Sequence, residues 1–188
     1  MSLTQYYTAT TLDGFIADEN HSLDWLFTRD QDRAGPLNYR EFFAGVGALA
    51  MGSTTYEWIL DHEVKDEDSG ERKWPYDIPC WVFTHRQLQV VPGAAIIFTS
   101  ADVLAVHAEM VAAADGRNVW IVGGGDLAGQ FADAGLLDEV IVYVAPVTLG
   151  AGAPLLPRRL ELRLEETARN GDFVTARFSV VRGSESGA

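Results

Sequence analysis

The sequence predicts an α/β fold with parallel strands in its main part and an antiparallel hairpin near its C-terminal end. Short apolar segments alternate with segments of helical periodicity through the middle of the chain, and such alternation favours parallel pairing. Beyond residue 160 the apolar residues recur at every second position, which is typical of strands. The chain has 188 residues, of which 47% are hydrophobic. Since one domain usually spans roughly 100 to 200 residues, we expect a single domain over residues 1–188.

The N-terminal part predicts a strand, a long loop and a helix. Residues 3–11 are rich in Thr and Tyr and end at the turn signal Asp13-Gly14. Residues 14–32 show no period and carry isolated aromatic residues, as expected for a long loop that covers a site. Aromatic residues at helical spacing predict a helix over residues 38–43.

The middle of the chain predicts alternating strands and helices. Apolar runs bounded by Gly, Pro or polar residues predict strands over residues 48–51, 80–84, 94–98, 118–122 and 140–149. Helical periodicity predicts helices over residues 53–60, 103–115 and 126–134, the second of them capped by Ser100. Residues 61–74 carry charges of both signs, which indicates a solvated loop rather than a metal or binding cluster.

The C-terminal part predicts a loop followed by a hairpin. Residues 150–157 are rich in Gly and Pro, as in a loop. Alternating apolar residues flank Asn170-Gly171, which is the strongest short signal for a two-residue hairpin turn. We expect the small and polar residues 183–188 to form a frayed tail.

The charge of the chain restricts its partners. With 14 basic and 27 acidic residues the net charge is −13, so nucleic acid is not an expected partner, because binding to phosphates needs clustered Lys and Arg. Any anionic ligand must find a local positive potential, made by backbone amides or by a few cations.

Composition also bears on location and on metals. Cys80 is the single cysteine, so the fold needs no oxidising compartment, and the first residues lack a secretory signal. No apolar run approaches the roughly 18 residues of a membrane span, and we expect a cytoplasmic protein with no membrane partner. The four histidines lack metal-ligand spacing with one another or with Cys80, so no metal is expected; they are His21, His62, His85 and His107.

Three polar turns follow predicted strands and are suited to phosphate groups. The first is Gly123-Gly124-Gly125-Asp126-Leu127, where glycines and a helix start leave backbone amides exposed. The second is Gly52-Ser53-Thr54-Thr55, which adds three hydroxyl groups, and the third is Thr84-His85-Arg86, whose guanidinium suits a ribose 2′-phosphate. Each has a plainer interpretation: a turn needed for packing, an ordinary helix cap and a solvated loop. The carboxyl ends of parallel strands meet at one edge of a sheet, which favours a common ligand site.

Six segments together resemble the dihydrofolate reductase superfamily, over nearly the whole chain. They are Thr10-Thr11-Leu12-Asp13-Gly14-Phe15-Ile16-Ala17, Leu23-Asp24-Trp25-Leu26, Met51-Gly52-Ser53-Thr54-Thr55-Tyr56-Glu57, Val122-Gly123-Gly124-Gly125-Asp126-Leu127, Leu137-Asp138-Glu139 and Pro146-Val147-Thr148-Leu149-Gly150-Ala151-Gly152. The closest similarity is to stand-alone relatives of the reductase domain of riboflavin-biosynthesis deaminase-reductases. The resemblance implies a mixed, mainly parallel central sheet flanked by helices on both faces, and a reduced nicotinamide dinucleotide, usually NADPH, along the strand ends.

The resemblance also implies roles for individual residues. The residues that match cofactor-binding positions are Ala9, Ile16, Ala17, Gly52, Ser53, Thr54, Thr55, Thr84, His85, Arg86, Gly123, Gly124, Gly125, Asp126, Leu127 and Gln130. Dihydrofolate reductases usually carry an arginine where this chain has Ser53. Arg86 is therefore the main candidate cation for the 2′-phosphate, and NADH is not excluded.

The substrate side departs from both named families. Before Gly52, this chain has no acidic residue at the position where dihydrofolate reductases have their buried carboxylate, and Asp32 is the nearest acid. The riboflavin-pathway reductases carry a glutamate where this chain has Gly123 and an aspartate near Ile59. Aromatic candidates for a pocket that stacks a flat heterocycle are Trp25, Tyr39, Phe43, Tyr56 and Tyr143, although such residues are more often core. Tyr143 is also a weak candidate for proton transfer.

Three functional hypotheses remain open from the sequence. The first is an NAD(P)H-dependent reductase that transfers a hydride to a small pterin-like, pyrimidine-like or other conjugated substrate. The second is a catalytically silent module that binds a nucleotide or sequesters a ligand. The third, a Rossmann dehydrogenase, is disfavoured because the glycine-rich turn comes too late in the chain. The family resemblance also implies a homodimer, formed through residues 140–149 and 150–157.

Overall fold

The computed structural model describes residues 2–62 and 73–182. The strands are β1 Thr4–Thr11, β2 Phe15–Ala17, β3 Val46–Gly52, β4 Cys80–Phe83, β5 Ile96–Thr99, β6 Asn118–Gly123, β7 Glu139–Ala145, β8 Ala153–Pro154, β9 Leu162–Asn170 and β10 Phe173–Val180. The helices are α1 Asp24–Phe27, α2 Tyr39–Ala44, α3 Ser53–His62, α4 Val103–Ala113 and α5 Gly125–Asp133. Most of the predicted loop 61–74 and the predicted tail 183–188 lie outside the described residues.

Eight of the described strands form one sheet, in the order β5-β4-β3-β6-β1-β7-β10-β9. The strands from β5 to β7 in that order pair in parallel, whereas β10 pairs antiparallel with both β7 and β9. The mainly parallel sheet and the C-terminal antiparallel hairpin are therefore confirmed. The first six residues of β3 are all buried, as expected for a strand covered on both faces.

Helices cover the two faces of this sheet. Alternate residues of each strand point to opposite sides, so Tyr7 and Leu49 pack with α2 and α3, whereas Tyr6 and Ala48 pack with α4 and α5. In the part of the chain that the structure describes, no helix is both long and apolar enough to cross a membrane.

The predicted loops over residues 14–32 and 150–157 were wrong in part. The first contains β2 and α1, and β2 pairs antiparallel with β8, which lies inside the second. Gly152, at φ +143°, permits this pairing, since a Cβ there would lie 2.1 Å from the carbonyl oxygen of Ala17. Strands this short show no alternation of apolar and polar residues in the sequence, and these two pair although they lie far apart in the chain.

Two other boundaries also differ from the predictions. The strand predicted over residues 140–149 ends at Ala145, whose carbonyl accepts a hydrogen bond of 2.8 Å from the amide of Val147 in a tight turn. Helix α4 is capped by Asp102 instead of Ser100, because the Asp102 carboxylate accepts from the amide of Ala105 at 2.9 Å.

Candidate functional site

Two of the three predicted turns lie side by side. Strands β3 and β6 are neighbours, with Met51 opposite Gly123, so the turns that follow them meet at the carboxyl edge of the sheet. Helix α3 begins at Ser53 and α5 begins at Gly125, so each turn leads directly into a helix. The amides of two helix starts therefore face the same region, which makes its potential positive.

The three glycines of the turn after β6 have different surroundings. A Cβ on Gly123 would lie 2.8 Å from the Thr55 hydroxyl oxygen, and one on Gly125 would lie 2.2 Å from the carbonyl oxygen of Pro154. Both glycines are thus required for close packing. A Cβ on Gly124 would meet only the Ile16 side chain, at 3.8 Å, so this glycine borders open space. The turn serves packing and also leaves a concave face.

That concave face is part of a cavity of about 460 Å³, called here the glycine cavity. Most of the predicted cofactor residues line it: Ile16, Ala17, Gly52, Ser53, Thr54, Thr55, Gly123, Gly124, Gly125, Asp126, Leu127 and Gln130. The structure adds lining residues that were not predicted for the cofactor: Thr8, His21, Leu23, Trp58, Phe83, Val122, Ala153 and Pro154. The β2–β8 ribbon, which supplies four of the lining residues, closes one side.

An arginine neutralises the one carboxylate among the described residues of this lining. The Asp126 carboxylate accepts hydrogen bonds of 3.0 Å from both Gln130 Nε2 and Arg158 Nη2. These two partners lower the pKa of Asp126, the Gln130 hydrogen bond first. Arg158 also donates from Nε to Asp133 at 2.8 Å, and its stem covers Gly129. No local pattern in the sequence predicts this role for Arg158, which lies 25 residues beyond Asp133 in the chain.

The third predicted turn lies just beyond the glycine cavity. Phe83, the last residue of β4, lines the cavity, whereas Thr84, His85 and Arg86 do not. The Arg86 guanidinium instead forms an ion pair with the Glu57 carboxylate, with Nη2 and Oε2 2.6 Å apart. The cation predicted for a 2′-phosphate is thus held by an acid of α3.

A second cavity, of about 600 Å³, adjoins the first and is called here the aromatic cavity. Thr8 and Val122 line both cavities. Its aromatic lining residues are Tyr7, Phe27, Tyr39, Trp120, Tyr143 and Phe173, and Arg29, Asp30, Gln31 and Arg33 are polar lining residues. Ala9, predicted for the cofactor, lines this cavity and not the glycine cavity.

Two of the five residues predicted to line a substrate pocket line the aromatic cavity, Tyr39 and Tyr143. The other three do not line it, because their side chains pack elsewhere. Trp25 is 9% exposed in the core, Phe43 stacks on Tyr39 with ring centroids 5.5 Å apart, and the buried Tyr56 donates its hydroxyl to the Gln89 carbonyl at 2.6 Å.

The hydroxyl of Tyr143 is already hydrogen-bonded on both sides. It donates to the carbonyl of Pro36 at 3.1 Å and accepts from Asn170 Nδ2 at 3.2 Å. Burial raises the pKa of this phenol, so it stays protonated at neutral pH. A role in proton transfer remains a prediction, and what the geometry shows is a fixed wall of the cavity.

In the described part of the chain, no three His, Cys, Asp or Glu side chains are grouped closely enough to hold a metal ion. Among the described residues that line the aromatic cavity, Asp30 carries the one carboxylate, and it is exposed. The site therefore offers backbone amides, aromatic faces and arginines more than acids.

Comparisons with solved structures support the fold. The "Putative riboflavin biosynthesis protein" of Shewanella sp. PV-4 is 24% identical, with a TM-score of 0.76, covering 96% of this chain and 99% of that one. The deaminase and 5-amino-6-(5-phosphoribosylamino)uracil reductase of Thermotoga maritima is 15% identical, with a TM-score of 0.61, covering 96% and 57%. Dihydrofolate reductase from Enterococcus faecalis, solved with NADP(H), is 14% identical, with a TM-score of 0.55, covering 97% of each chain.

Comparisons of sequence identify the family. The Bacillus subtilis protein named "Uncharacterized protein YwjB" is 32% identical over 179 residues, which cover 93% of this chain and 96% of that protein. Residues 4–172 match the family described as the RibD C-terminal domain. Together with the dihydrofolate reductase-like fold, this match confirms the resemblance, and the chain belongs to the RibD C-terminal domain family.

Proposed function

We propose that the protein is an NADPH-dependent reductase that transfers a hydride to a small conjugated heterocycle, pterin-like or pyrimidine-like, or to another conjugated substrate. The observation that carries the proposal is the meeting of the two cavities at Thr8 and Val122. A ligand in the glycine cavity and a ligand in the aromatic cavity would touch there. Hydride transfer demands mainly such positioning, with the reacting carbons about 3 to 3.5 Å apart.

The glycine cavity fits a dinucleotide. Two helix starts and the hydroxyls of Ser53, Thr54 and Thr55 offer donors to a diphosphate, and Gly124 leaves room for it. The β2–β8 ribbon and Thr8 would hold the nicotinamide end, and the end of β4 would receive the adenosine end. When bound, the reduced nicotinamide supplies the hydride.

The chain's own residues would orient the reactants and exclude water. Tyr7 and Trp120 are nearly buried, and the Trp120 indole donates to the Tyr7 carbonyl at 3.0 Å, so this wall is rigid. Tyr143 is fixed by Pro36 and Asn170. A flat substrate would stack against these rings, beside the junction at Thr8 and Val122.

NADPH is the proposed cofactor, in line with the NADP(H)-bound dihydrofolate reductase that the fold matches. NADH is the second candidate cofactor, because the Arg86 guanidinium already forms an ion pair with the Glu57 carboxylate. A 2′-phosphate would have to replace or share that carboxylate.

A silent nucleotide-binding module is the second candidate function. The observation that favours it is the absence of a buried acid among the described residues that line the aromatic cavity, where only the exposed Asp30 carries a carboxylate. Such a protein would bind NADPH and never oxidise it.

Two measurements test these proposals. NADPH at 100 times its Kd should stabilise the protein by roughly 2.7 kcal/mol and so raise the Tm by several degrees. No thermal shift and no change in NADPH fluorescence would overturn nucleotide binding. Steady loss of NADPH absorbance with any compound in a panel of pterins, pyrimidines and quinones would favour the reductase, whereas binding without oxidation across the panel would favour the silent module.

A further inference from the structure

Two central strands of the sheet separate where the two cavities meet. Strands β1 and β6 pair as far as Tyr6 opposite Ile121, whereas β1 stays paired with β7 as far as Thr11. The gap between β1 and β6 therefore opens just beyond Tyr6. Thr8 and Val122 lie at this gap and line both cavities, and of these two residues Thr8 is the one with a polar side chain.

A buried hydroxyl group lies behind Thr8 on the same face of β1. Tyr6 is fully buried, and its Oη atom has no hydrogen-bond partner among the described residues. Alternate residues of a strand point to the same side, so the side chains of Tyr6 and Thr8 are neighbours. Burial raises the pKa of Tyr6 strongly, and the Thr8 side chain lowers this pKa by a smaller amount, so the two groups lie close enough to interact.

Two other threonines of β1 show what a structural role looks like. The Thr4 hydroxyl lies 2.8 Å from Nε2 of His107, and the Thr10 hydroxyl donates to the carbonyl of Phe15 at 3.1 Å. Each of them joins β1 to another element. The Thr8 hydroxyl donates instead to the carbonyl of the next residue at 3.2 Å, which is longer than the usual distance of about 2.7–2.8 Å. An acceptor on a ligand can replace this weak contact.

The two hydroxyls together define a direction. A threonine oxygen accepts through two lone pairs and donates one hydrogen. When the Tyr6 hydroxyl donates to the Thr8 oxygen, the Thr8 hydrogen points away from Tyr6, and the open side of Thr8 is the junction of the two cavities. A ligand with an acceptor at this position would satisfy both hydroxyls at once. Binding would thereby relieve the unfavourable state of a buried hydroxyl without a partner.

We infer that Thr8 binds a ligand at the point of hydride transfer, by donating a hydrogen bond to an acceptor atom beside a reacting carbon, and that Tyr6 is the positioning residue that fixes the Thr8 hydroxyl. The acceptor is a carbonyl oxygen or a ring nitrogen, and its source is the nicotinamide carboxamide or the substrate ring. The inference rests on the proposed function, because it places both ligands at the junction. An acceptor on the substrate gains negative charge as the hydride arrives, so this hydrogen bond would strengthen in the transition state.

Three variants test the inference and separate the two sources. Thr8→Val keeps the shape of the side chain without the hydroxyl, Thr8→Ser keeps the hydroxyl, and Tyr6→Phe removes the hydroxyl behind it. Calorimetric titration compares NADPH with 2′-phospho-ADP-ribose, which lacks the nicotinamide. If the acceptor is the carboxamide, Thr8→Val should weaken NADPH binding about tenfold and leave 2′-phospho-ADP-ribose binding within about twofold.

The substrate arm follows NADPH absorbance with 7,8-dihydrofolate, uracil and menadione as hydride acceptors. If the acceptor atom is on the substrate, Thr8→Val should keep its NADPH affinity within about twofold, and its kcat should fall about tenfold, by a larger factor than KM rises. In whichever arm Thr8→Val shows the loss, Tyr6→Phe should lose at least about threefold, and Thr8→Ser should stay within about threefold of the unmodified protein.

Thr167→Val is the matched control, because the Thr167 hydroxyl donates to the Thr175 carbonyl at 3.1 Å in the outer hairpin and lies outside both cavity linings. It should change neither readout by more than about twofold. The inference is overturned if Thr8→Val changes neither arm, if Thr8→Ser loses as much as Thr8→Val, or if Thr8→Val weakens NADPH and 2′-phospho-ADP-ribose equally.

A structural role of Tyr6 alone predicts that Tyr6→Phe keeps the affected readout and has an unchanged or higher Tm, and that result also overturns the inference. If the unmodified protein binds NADPH but reduces none of the three acceptors, the reductase proposal fails and the nucleotide arm alone decides the inference. Absence of NADPH binding by the unmodified protein would overturn the proposed function itself.

Discussion

The glycine cavity and the aromatic cavity share Thr8 and Val122 yet are built from different groups. The first is formed largely by main chain, at two turns where side chains are small or absent. The second is formed by large side chains from separate segments, with arginines in its lining. The difference indicates that the first depends on backbone shape and net charge, whereas the second depends on the identity of each side chain. If the glycine cavity binds the proposed cofactor and the aromatic cavity the proposed substrate, the same scaffold can keep the one and change the other.

Gly125→Ala should have the largest effect, because it breaks the backbone shape of the glycine cavity. The new Cβ would lie 2.2 Å from the carbonyl oxygen of Pro154, and backbone atoms cannot move away without a large cost in free energy. Overpacking of this kind costs about 1–3 kcal/mol, so the Tm should fall by roughly 2–12 °C and NADPH binding should be lost. Differential scanning fluorimetry and NADPH fluorescence check both effects.

Gly52→Ala is the matched control for stability, since its Cβ would meet nothing closer than a carbonyl oxygen at 4.0 Å. Its Tm should stay within about 2 °C of the unmodified protein, less than the shift expected for 1 kcal/mol. If Gly125→Ala keeps the unmodified Tm and NADPH affinity, the main-chain cavity is not the nucleotide site.

Arg158→Gln should have the next largest effect, because it unbalances the charge of the same cavity. Asp126 would lose its ion pair with Arg158 at 3.0 Å and keep only the hydrogen bond from Gln130, so its negative charge beside the proposed diphosphate would be uncompensated. We expect NADPH binding to weaken about tenfold, which corresponds to 1.4 kcal/mol. The double variant Asp126→Asn with Arg158→Gln should recover most of the affinity, and a double variant as weak as the single one would argue against a charge effect.

Glu57→Gln should sharpen the selection between cofactors. Removing this carboxylate releases the Arg86 guanidinium, with which it now forms an ion pair at 2.6 Å. NADPH should bind a few-fold more tightly, on the scale of an exposed ion pair of roughly 0.2–1 kcal/mol, while NADH affinity stays unchanged. Arg86→Gln should weaken NADPH binding only. Equal changes for the two cofactors in both variants would place the 2′-phosphate elsewhere.

Asp13→Asn should have the smallest effect and should depend on pH. The Asp13 carboxylate accepts from the amides of Leu149 and Gly150, and a hydrogen bond from the Thr11 hydroxyl, then one from Gly150, lowers its pKa. A lowered pKa stabilises the fold above the ordinary Asp pKa of about 3.9, and the contribution is lost as pH falls through the folded value. The Tm difference between Asp13→Asn and the unmodified protein should thus be larger at pH 7 than at pH 3; a difference independent of pH would contradict this origin.

Local sequence signals predicted the two turns that line the glycine cavity, and the family resemblance added further lining residues, but the rest of the lining was not predicted. Gly123 to Gly125 and Gly52 are close to strands and helix starts in the chain, so a short window carries the relevant pattern. The parallel sheet and the Asn170-Gly171 hairpin were predicted for the same reason.

The aromatic cavity could be predicted only in part, because its residues are gathered from across the chain. Tyr39 and Tyr143 share a wall through sheet register and packing, and nothing local distinguished them from the core residues Trp25 and Tyr56. Arg29 lay in a predicted loop, and its place in the lining is visible only in three dimensions. Arg158 compensates Asp126 across 32 residues, a distance that no periodic pattern spans.

Asn170 supports the wall of the aromatic cavity from outside its lining. This one amide binds the backbone of Asp32 and Pro36 and the Tyr143 hydroxyl, yet it belongs to the last residue of β9, beside the hairpin turn, and not to the cavity lining. Relatives that differ in the length or composition of this hairpin turn would shift the cavity wall even where every lining residue is the same. The shape of the aromatic cavity can therefore be changed from the outer edge of the sheet.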